Sequence, residues 1–468
     1  MKFVIGTQKT RLETDNPKII RALRDVYSAS VPGARYSPAY RMGRWDGMKH
    51  FVTNRGVFRT GLLDSIQSDL RKAGLEWEEE YKDESVTSPN LEHIAGYSYF
   101  DYQEKAIRYG LEKQRCIIKA PTGAGKTLIM AGLVQAHLGK RIVILFNAKN
   151  LLKQTYDFLT GECGLTNVGV CFGEGYQDGE VMLATVQSIE KIIDPYVEQA
   201  EVLMVDEVHE FGVGDTTVAA IESFPNAKFR YGFTATMPTE KIPMWNLIGA
   251  FGPVFICKTT SDLVEEGVLC KPIIQMLSTE QPTSEEGQPT YADIYASGIT
   301  NNDYRNDQIT SLVNQIREGT PKARILILVK SLEHGEILQE ALGEDTWYLQ
   351  GEDDLGDRYR TIGAFTSCEG ASVLIGTKIL QTGVNIREIT HFINARGLKS
   401  PIATIQALGR ALRTHESKDK VFVYDFLDTG PYLGAHANKR YNTYKKEGHE
   451  VHKVEWNHTK TDRPERAS

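Results

Sequence analysis

Cysteine is scarce in this chain: there are six in 468 residues, at positions 116, 163, 171, 257, 270 and 368, and no two form a Cys-x-x-Cys pair. That pattern argues against a zinc site or a disulfide framework and fits a reducing cytoplasm. No apolar run reaches the length of about 18 residues that a membrane helix needs, so no membrane span is expected. The opening Met1-Lys2-Phe3-Val4-Ile5-Gly6-Thr7 lacks the apolar core and cleavage site of a secretory leader. Excess positive charge is missing too. The net charge is -7, with 25% charged and 41% hydrophobic residues, which excludes a wholly disordered chain, a collagen-like chain and a uniformly basic coat. At about 150 residues per domain the length suggests roughly three domains.

What the whole chain lacks, one end has. Residues 1–60 carry twelve Lys or Arg and four acids, a balance of +8 against -15 for the remainder. Such asymmetry fits an end that meets a polyanion, although a solvated basic surface would look the same. Residues 1–85 mix short strand-like runs with amphipathic patterns, as in Ile19-Ile20-x-Ala22-Leu23 and Leu62-Leu63-x-x-Ile66-x-x-x-Leu70. They read as a small basic α+β domain. The stretch from Lys82 to Ser98 is polar and contains Ser-Pro-Asn, so it reads as a linker.

Beyond it, short β-rich runs alternate with helical patterns. Strands are expected at Cys116–Lys119, Ile142–Phe146, Val181–Ala184, Val202–Val205 and Tyr231–Thr234. The same alternation returns after about residue 270, with Ile325–Val329, Val373–Gly376, His391–Asn394 and Val421–Tyr424. Runs that are apolar at consecutive positions belong to strands buried on both faces, hence to parallel sheets covered by helices. Two tandem α/β domains, 86–265 and 266–435, are expected. Residues 281–290 read as an exposed loop, and 436–468 as a polar tail.

The most specific motif is Ala120-Pro-Thr-Gly-Ala-Gly-Lys-Thr127, between the strand ending at 119 and the helical run from Leu128. Thr122, Gly123, Ala124 and Gly125 would let backbone N–H groups turn toward phosphates at a helix N-terminus. Lys126 would reach the β- and γ-phosphates and Thr127 would ligate Mg²⁺. Ala120 replaces the glycine of the strict pattern. About eighty residues on, Val202-Leu-Met-Val-Asp206-Glu207-Val-His209 puts two acids at the end of a buried strand, the edge that faces a ligand crevice. Asp206 would hold the metal and Glu207 would orient or deprotonate the attacking water. ATP and Mg²⁺ are therefore the expected cofactors.

Together these residues resemble a superfamily 2 helicase or translocase across residues 99–430. The later motifs arrive in family order: Ile144–Gln154, Ala184-Thr185-Val-Gln187-Ser188, Thr234-Ala-Thr236, Ile327–Val329, Gly376-Thr377, Thr382-Gly383-Val-Asn385, and Gln406-Ala-Leu-Gly-Arg410-Ala-Leu-Arg413. The Asp-Glu-Val-His box is nearer the XPB-, RecG- and UvsW-like translocases than the DEAD-box enzymes. Gly43-Arg-Trp45-Asp-Gly47, after Tyr36 and Tyr40, is similar to the accessory domain of UvsW-like branch-migration helicases of tailed phages. The resemblance implies two RecA-like domains and a DNA-dependent ATPase that remodels forks and Holliday junctions in the infected host's cytoplasm, expected as a monomer.

By the same resemblance, Tyr102 and Gln103 read adenine, and Gly383 and Asn385 lie near the nucleotide sugar. Gln406, Arg410 and Arg413, on one helical face, complete the γ-phosphate site. His209, Thr234 and Thr236 couple nucleotide to nucleic acid. Thr185, Gln187, Lys330, Ser331 and Thr377 grip the backbone. Three departures stand out: Phe100 replaces an arginine upstream of Tyr102, Asn385 replaces an aspartate, and neither a cysteine cluster nor a separate wedge domain is evident. In the basic domain Arg35, Arg41, Arg44 and Lys49 would contact phosphates. Trp45, Tyr36 or Tyr40 would stack on an unpaired base, unless Trp45 is a core anchor. An RNA helicase would use the same engine, whereas a non-catalytic ATP sensor would not need Lys126, Glu207 and Arg410 together. Removing residues 1–85 is expected to spare basal ATPase and reduce junction binding.

Overall fold

The computed structural model describes residues 1–82, 89–94, 96–173, 175–192, 196–212, 214–280, 290–350, 353, 355–377, 386–415 and 418–456. Residues 83–88 and 95 of the expected linker, and the loop at 281–289, lie outside these. The chain forms two compact units, Met1–Lys258 and Thr259–Ser468.

The first unit begins with a four-stranded sheet in the order Val57–Arg59, Lys9–Glu13, Lys2–Ile5, Glu78–Tyr81. Lys9–Glu13 alternates exposed and buried side chains, as a strand with one wet face must. The helix Pro17–Val26 starts where Asn16 accepts from the Lys18 N–H and Pro17 supplies a ready-made first turn. This helix and Leu63–Lys72 cover a core of Phe3, Leu12, Leu23, Tyr27, Phe58, Leu62 and Ile66.

That core is not closed by its own residues. Ile242, Trp245 and Ile248, from the helix Lys241–Phe251, pack against it. This helix is apolar nearly all round, the mark of a helix buried on two sides. Leu247, Ala250 and Phe251 enter the core of the neighbouring eight-stranded sheet. Gly61 is required at the junction, because a Cβ there would run into the Ile248 and Gly249 carbonyls.

The eight-stranded sheet runs Gly175–Gln177, Val168–Phe172, Val181–Thr185, Ile142–Phe146, Val202–Val205, Phe229–Thr234, Arg115–Lys119, Val254–Ile256. All pairings are parallel except the first. Strands 142–146, 181–185, 202–205 and 229–234 are buried at every position, as their consecutive apolar residues require.

The second unit has a seven-stranded sheet, Thr346–Leu349, Ser372–Gly376, Arg324–Leu328, His391–Asn394, Lys420–Leu427, Lys271–Ser278, Val451–Val454, parallel throughout. The expected strands are present in both sheets. Val168–Phe172 and Lys271–Ser278 are additional to them, because Gly169 and Pro272 interrupt the apolar pattern by which a strand is read. Residues 433–446 and 451–454, in or next to the stretch read as a polar tail, form a helix and an edge strand. Arg440 and Tyr444 turn inward there, so polarity in the sequence marks an internal ion-pair network.

Four buried histidines tie stability to pH. Burial lowers His137 and His334 from 6.5 to about 3, and His391 and His449 to about 4. The folded state therefore binds fewer protons than the unfolded one below pH 6.5. Their stabilising contribution is whole above that value and is lost as pH falls toward the folded values, with a slope of up to about 1.4 kcal/mol per pH unit for each group. Denaturant titrations between pH 7 and pH 4 should show a falling unfolding free energy. A flat profile would show that these rings protonate in place.

Candidate nucleotide-binding site

Strand order brings three loops to one edge. Phe229–Thr234 lies between Val202–Val205 and Arg115–Lys119. The C-terminal ends of these strands carry the Thr-Ala-Thr segment, the acidic box and the phosphate loop, side by side at the edge where parallel sheets hold ligands. Gly123 and Gly125 have φ of 92° and 75°, values a side chain would strain, and Gly125 caps the helix Lys126–Ala136. Lys126 Nζ lies 3.4 Å from the Ala120 carbonyl and 3.8 Å from Glu207 Oε1. Thr127 is exposed in the first helical turn, and Thr122 is buried.

Asp206 follows its strand directly, its N–H bound to the Leu145 carbonyl at 3.0 Å. Burial, with Glu207 next to it, pushes the Asp206 carboxyl up to about 7 against the pull of Lys126. Glu207 adopts φ 45°, an uncommon conformation for a residue with a side chain. Its Oε2 is buried, has no hydrogen-bond partner, and lies 3.4 Å from His209 Nδ1. Two crowded carboxylates, one with an unsatisfied oxygen, offer hard-oxygen donors of the kind that fit a divalent cation. A cation there would reverse the electrostatics that raise Asp206.

His209 Nδ1 is 2.9 Å from Thr234 Oγ1, and that hydroxyl donates to the Thr236 carbonyl at 2.7 Å. The structure thus joins His209, Thr234 and Thr236 to the acidic box. Burial lowers the His209 pKa, opposed by Glu207 and Glu210. Tyr102 and Gln103 reach the loop from the helix Asp101–Lys113. Both donate to the Ala124 carbonyl, at 3.1 and 3.0 Å, while Gln103 Oε1 accepts from the Phe100 N–H. The Phe100 ring stacks on Tyr102 at 5.7 Å with 6° between planes.

Other residues singled out in the sequence are more scattered. Thr185 is buried and its hydroxyl pairs with Ser188 at 2.9 Å, whereas Gln187 is exposed. Lys330 is exposed, with its ammonium 4.1 Å from the Tyr295 ring centre. Ser331 caps the helix Leu332–Leu342, and Thr377 follows the strand Ser372–Gly376, half-buried. Gln406 and Arg410 lie on the helix Pro401–Ala411, with half-buried Arg413 just beyond it. Gly383 and Asn385 lie outside the described residues. In the basic domain Arg35 bonds the Tyr36 hydroxyl at 2.7 Å, and Arg41, Arg44, Tyr36 and Tyr40 are exposed. Lys49 is half-buried, 5.8 Å from the Phe51 ring centre. The Trp45 indole is half-buried and donates to the Met48 carbonyl at 2.9 Å.

Two parallel sheets in one chain, the first with a phosphate loop beside an acidic box, define a nucleotide-driven motor of the helicase class. Comparison with known proteins agrees. The family model for the type III restriction enzyme res subunit matches residues 96–239, and that for the helicase conserved C-terminal domain matches residues 307–415. The ATP-dependent DNA helicase UvsW of Enterobacteria phage T4 is 26% identical over 449 residues, 89% of this chain and 88% of its own length. The ATP-dependent helicase described as IRC3 of Saccharomyces cerevisiae is 23% identical over 365 residues, 70% of this chain and 51% of its own. Among solved structures, the fold is shared with a fragment described as an HsdR subunit of a type I restriction enzyme from Vibrio vulnificus, with TM-score 0.58, 18% identity and coverage of 83% and 73% of the two chains. It is also shared with S. cerevisiae Dbp5 bound to RNA and ADP BeF3, with TM-score 0.53, 17% identity and coverage of 76% and 89%. The chain carries both helicase domains, is similar to UvsW along most of its length, and is an ATP-hydrolysing superfamily 2 helicase. Among the described residues, no helix is long and apolar enough to cross a membrane.

Proposed function

We propose that this helicase moves on DNA and remodels branched substrates, migrating Holliday junctions and regressing forks in phage replication, recombination and repair. The observation that carries the engine is the gathering of Lys126, Glu207, His209 and Thr234 on one sheet edge. The DNA reading rests on the likeness to UvsW along most of the chain and on the basic first 60 residues.

In this reading the phosphate loop binds the triphosphate through its backbone N–H groups, and Lys126 holds the terminal phosphates. Asp206 and Thr127 would hold Mg²⁺, which would draw charge from the phosphate oxygens. Glu207 turns the water's lone pair toward phosphorus and takes its proton. His209, through Thr234 and Thr236, carries the state of that carboxylate into the neighbouring strand end. Gln406, Arg410 and Arg413 are assigned to the γ-phosphate, and Tyr102, Gln103, Gly383 and Asn385 to the nucleoside.

The backbone grip falls to Gln187, Lys330, Ser331 and Thr377. Thr185, whose hydroxyl is occupied, contributes through its main chain. Contacts of this kind carry no sequence preference. Arg35, Arg41, Arg44 and Lys49 neutralise phosphates in the basic domain. Exposed Tyr36 and Tyr40 offer faces for an unpaired base, worth about 1–3 kcal/mol each. Trp45, tied to Met48, shapes that loop.

The deciding experiment is an ATPase and unwinding panel across forked DNA, Holliday junctions, blunt duplex and single-stranded RNA. Branched DNA should stimulate turnover most. Greater stimulation by RNA would transfer the enzyme to RNA substrates. Replacing Arg35, Arg41 and Arg44 with alanine should weaken junction binding and make log K less dependent on log salt by about 0.9 for each phosphate that is no longer neutralised. An unchanged salt slope would remove these arginines from the interface.

A further inference from the structure

We infer that the basic N-terminal domain is also a positioning element for the hydrolytic carboxylate, acting through Arg59, Asn246 and the Gly212 carbonyl. The inference rests on the reading of Glu207 as the base.

Glu207 sits in a backbone conformation that persists only where the surroundings enforce it. The short helical turn that follows, Val208–Gly212, supplies that enforcement. On one side Val208 packs against Gly232, where a Cβ would come within 3.1 Å. On the other the turn rests on the helix Lys241–Phe251. A Cβ at Gly212 would lie 2.8 Å from Leu247, so no gap separates them. Asn246, which is 4% exposed, supplies a polar side chain at this contact. Its Nδ2 donates to the Gly212 carbonyl at 3.0 Å, and its Oδ1 accepts from Arg59 Nη1 at 3.2 Å. Arg59 belongs to the N-terminal sheet and also pairs with Glu222 at 2.5 Å.

The amide of Asn246 thus has both ends committed, one to each domain. Arg59 sets which way the amide faces, because it can only donate and so requires the oxygen. With the oxygen held there, the NH₂ group must point at Gly212. Without Arg59 the amide is free to invert, and the turn loses the Asn246 donor to its Gly212 carbonyl. The surrounding contacts keep Arg59 in register. Gln8 donates to the Glu222 and Phe224 carbonyls at 2.7 and 3.1 Å, Arg115 donates to the Thr7 carbonyl at 2.6 Å, and the rings of Tyr27 and Trp245 lie 5.0 Å apart. The expectation that the enzyme tolerates loss of residues 1–85 with basal ATPase intact is therefore revised: truncation removes the donor that orients Asn246.

The test compares Arg59→Ala, Arg59→Lys and Asn246→Asp in the full-length chain. ADP binding stoichiometry counts folded sites, and steady-state ATPase without nucleic acid gives kcat and KM. Asn246→Asp is informative because it keeps a partner for Arg59 while removing the donor to Gly212. Arg59→Ala and Asn246→Asp should each lower kcat per ADP-binding site by about tenfold to a hundredfold, the range expected when a reacting group is displaced by about 1 Å. ATP KM should hardly change, since the phosphate loop lies outside this chain of contacts. Arg59→Lys should recover most of the loss, and the double variant should be no slower than the worse single one. Unchanged kcat per site in both, or multiplicative effects in the double variant, would overturn the inference. Glu207→Gln separates the two levels: if it turns over normally, the reading of the base has failed. If it is inactive while Arg59→Ala and Asn246→Asp are normal, only the positioning role has.

Discussion

Glu207→Gln is expected to keep nucleotide binding and lose turnover. The exchange removes a charge and a proton acceptor while keeping the side chain's size. The phosphate loop, which makes the binding contacts, is untouched. Removing a positioned general base costs about a hundredfold to ten-thousandfold in rate. The Lys126–Glu207 distance of 3.8 Å shows a loose pair, so ADP affinity should change little. Single-turnover ATPase together with ADP titration checks both halves. Hydrolysis within about twofold of the parent would mean that another group accepts the proton, since the expected range begins far above that.

The second large effect concerns stability. Arg440 is 1% exposed and bonds both buried carboxylates of the segment after Tyr424: Asp425 at 2.9 and 3.1 Å and Asp428 at 3.0 Å, with the Leu398 and Phe426 carbonyls as further acceptors. Arg305, fully buried, holds the other oxygen of Asp428 at 3.0 Å, and Tyr444 and Asn394 both donate to Asp425 at 2.9 Å. Removing one partner of such a network leaves charge buried without compensation, at a cost of about 3–5 kcal/mol. Arg440→Met should lower the denaturant midpoint of the second unit by a corresponding amount while ADP binding by the first unit persists. Adding Asp425→Asn should recover part of the stability, because it removes the charge left unpaired. A destabilisation below about 1 kcal/mol for Arg440→Met alone would mean that water reaches the carboxylates and the network is effectively at the surface.

The same contrast, between groups whose meaning is local and groups whose meaning lies far along the chain, separates what could be read from the amino acids. The phosphate loop is legible because strand, glycines and lysine adjoin one another. The acidic box is legible because two acids end an unbroken apolar run, and that run can only be a strand buried on both faces. His209, Thr234 and Thr236 are legible as motif members, but the hydrogen bond joining His209 to Thr234 spans 25 positions and depends on strand order.

The amino-acid sequence by itself determined the parallel-sheet class, most of its strands and the residues of the nucleotide edge, because apolar periodicity and glycine geometry act over a few residues. Only the tertiary structure decided that Arg440 and Tyr444 face inward, that the basic domain borrows Ile242, Trp245 and Ile248 to close its core, and that Arg59 meets Asn246 across 187 positions. A charged or amide side chain looks the same in sequence whether water or a distant partner satisfies it. Folding chooses between them through the cost of burying a polar group unpaired.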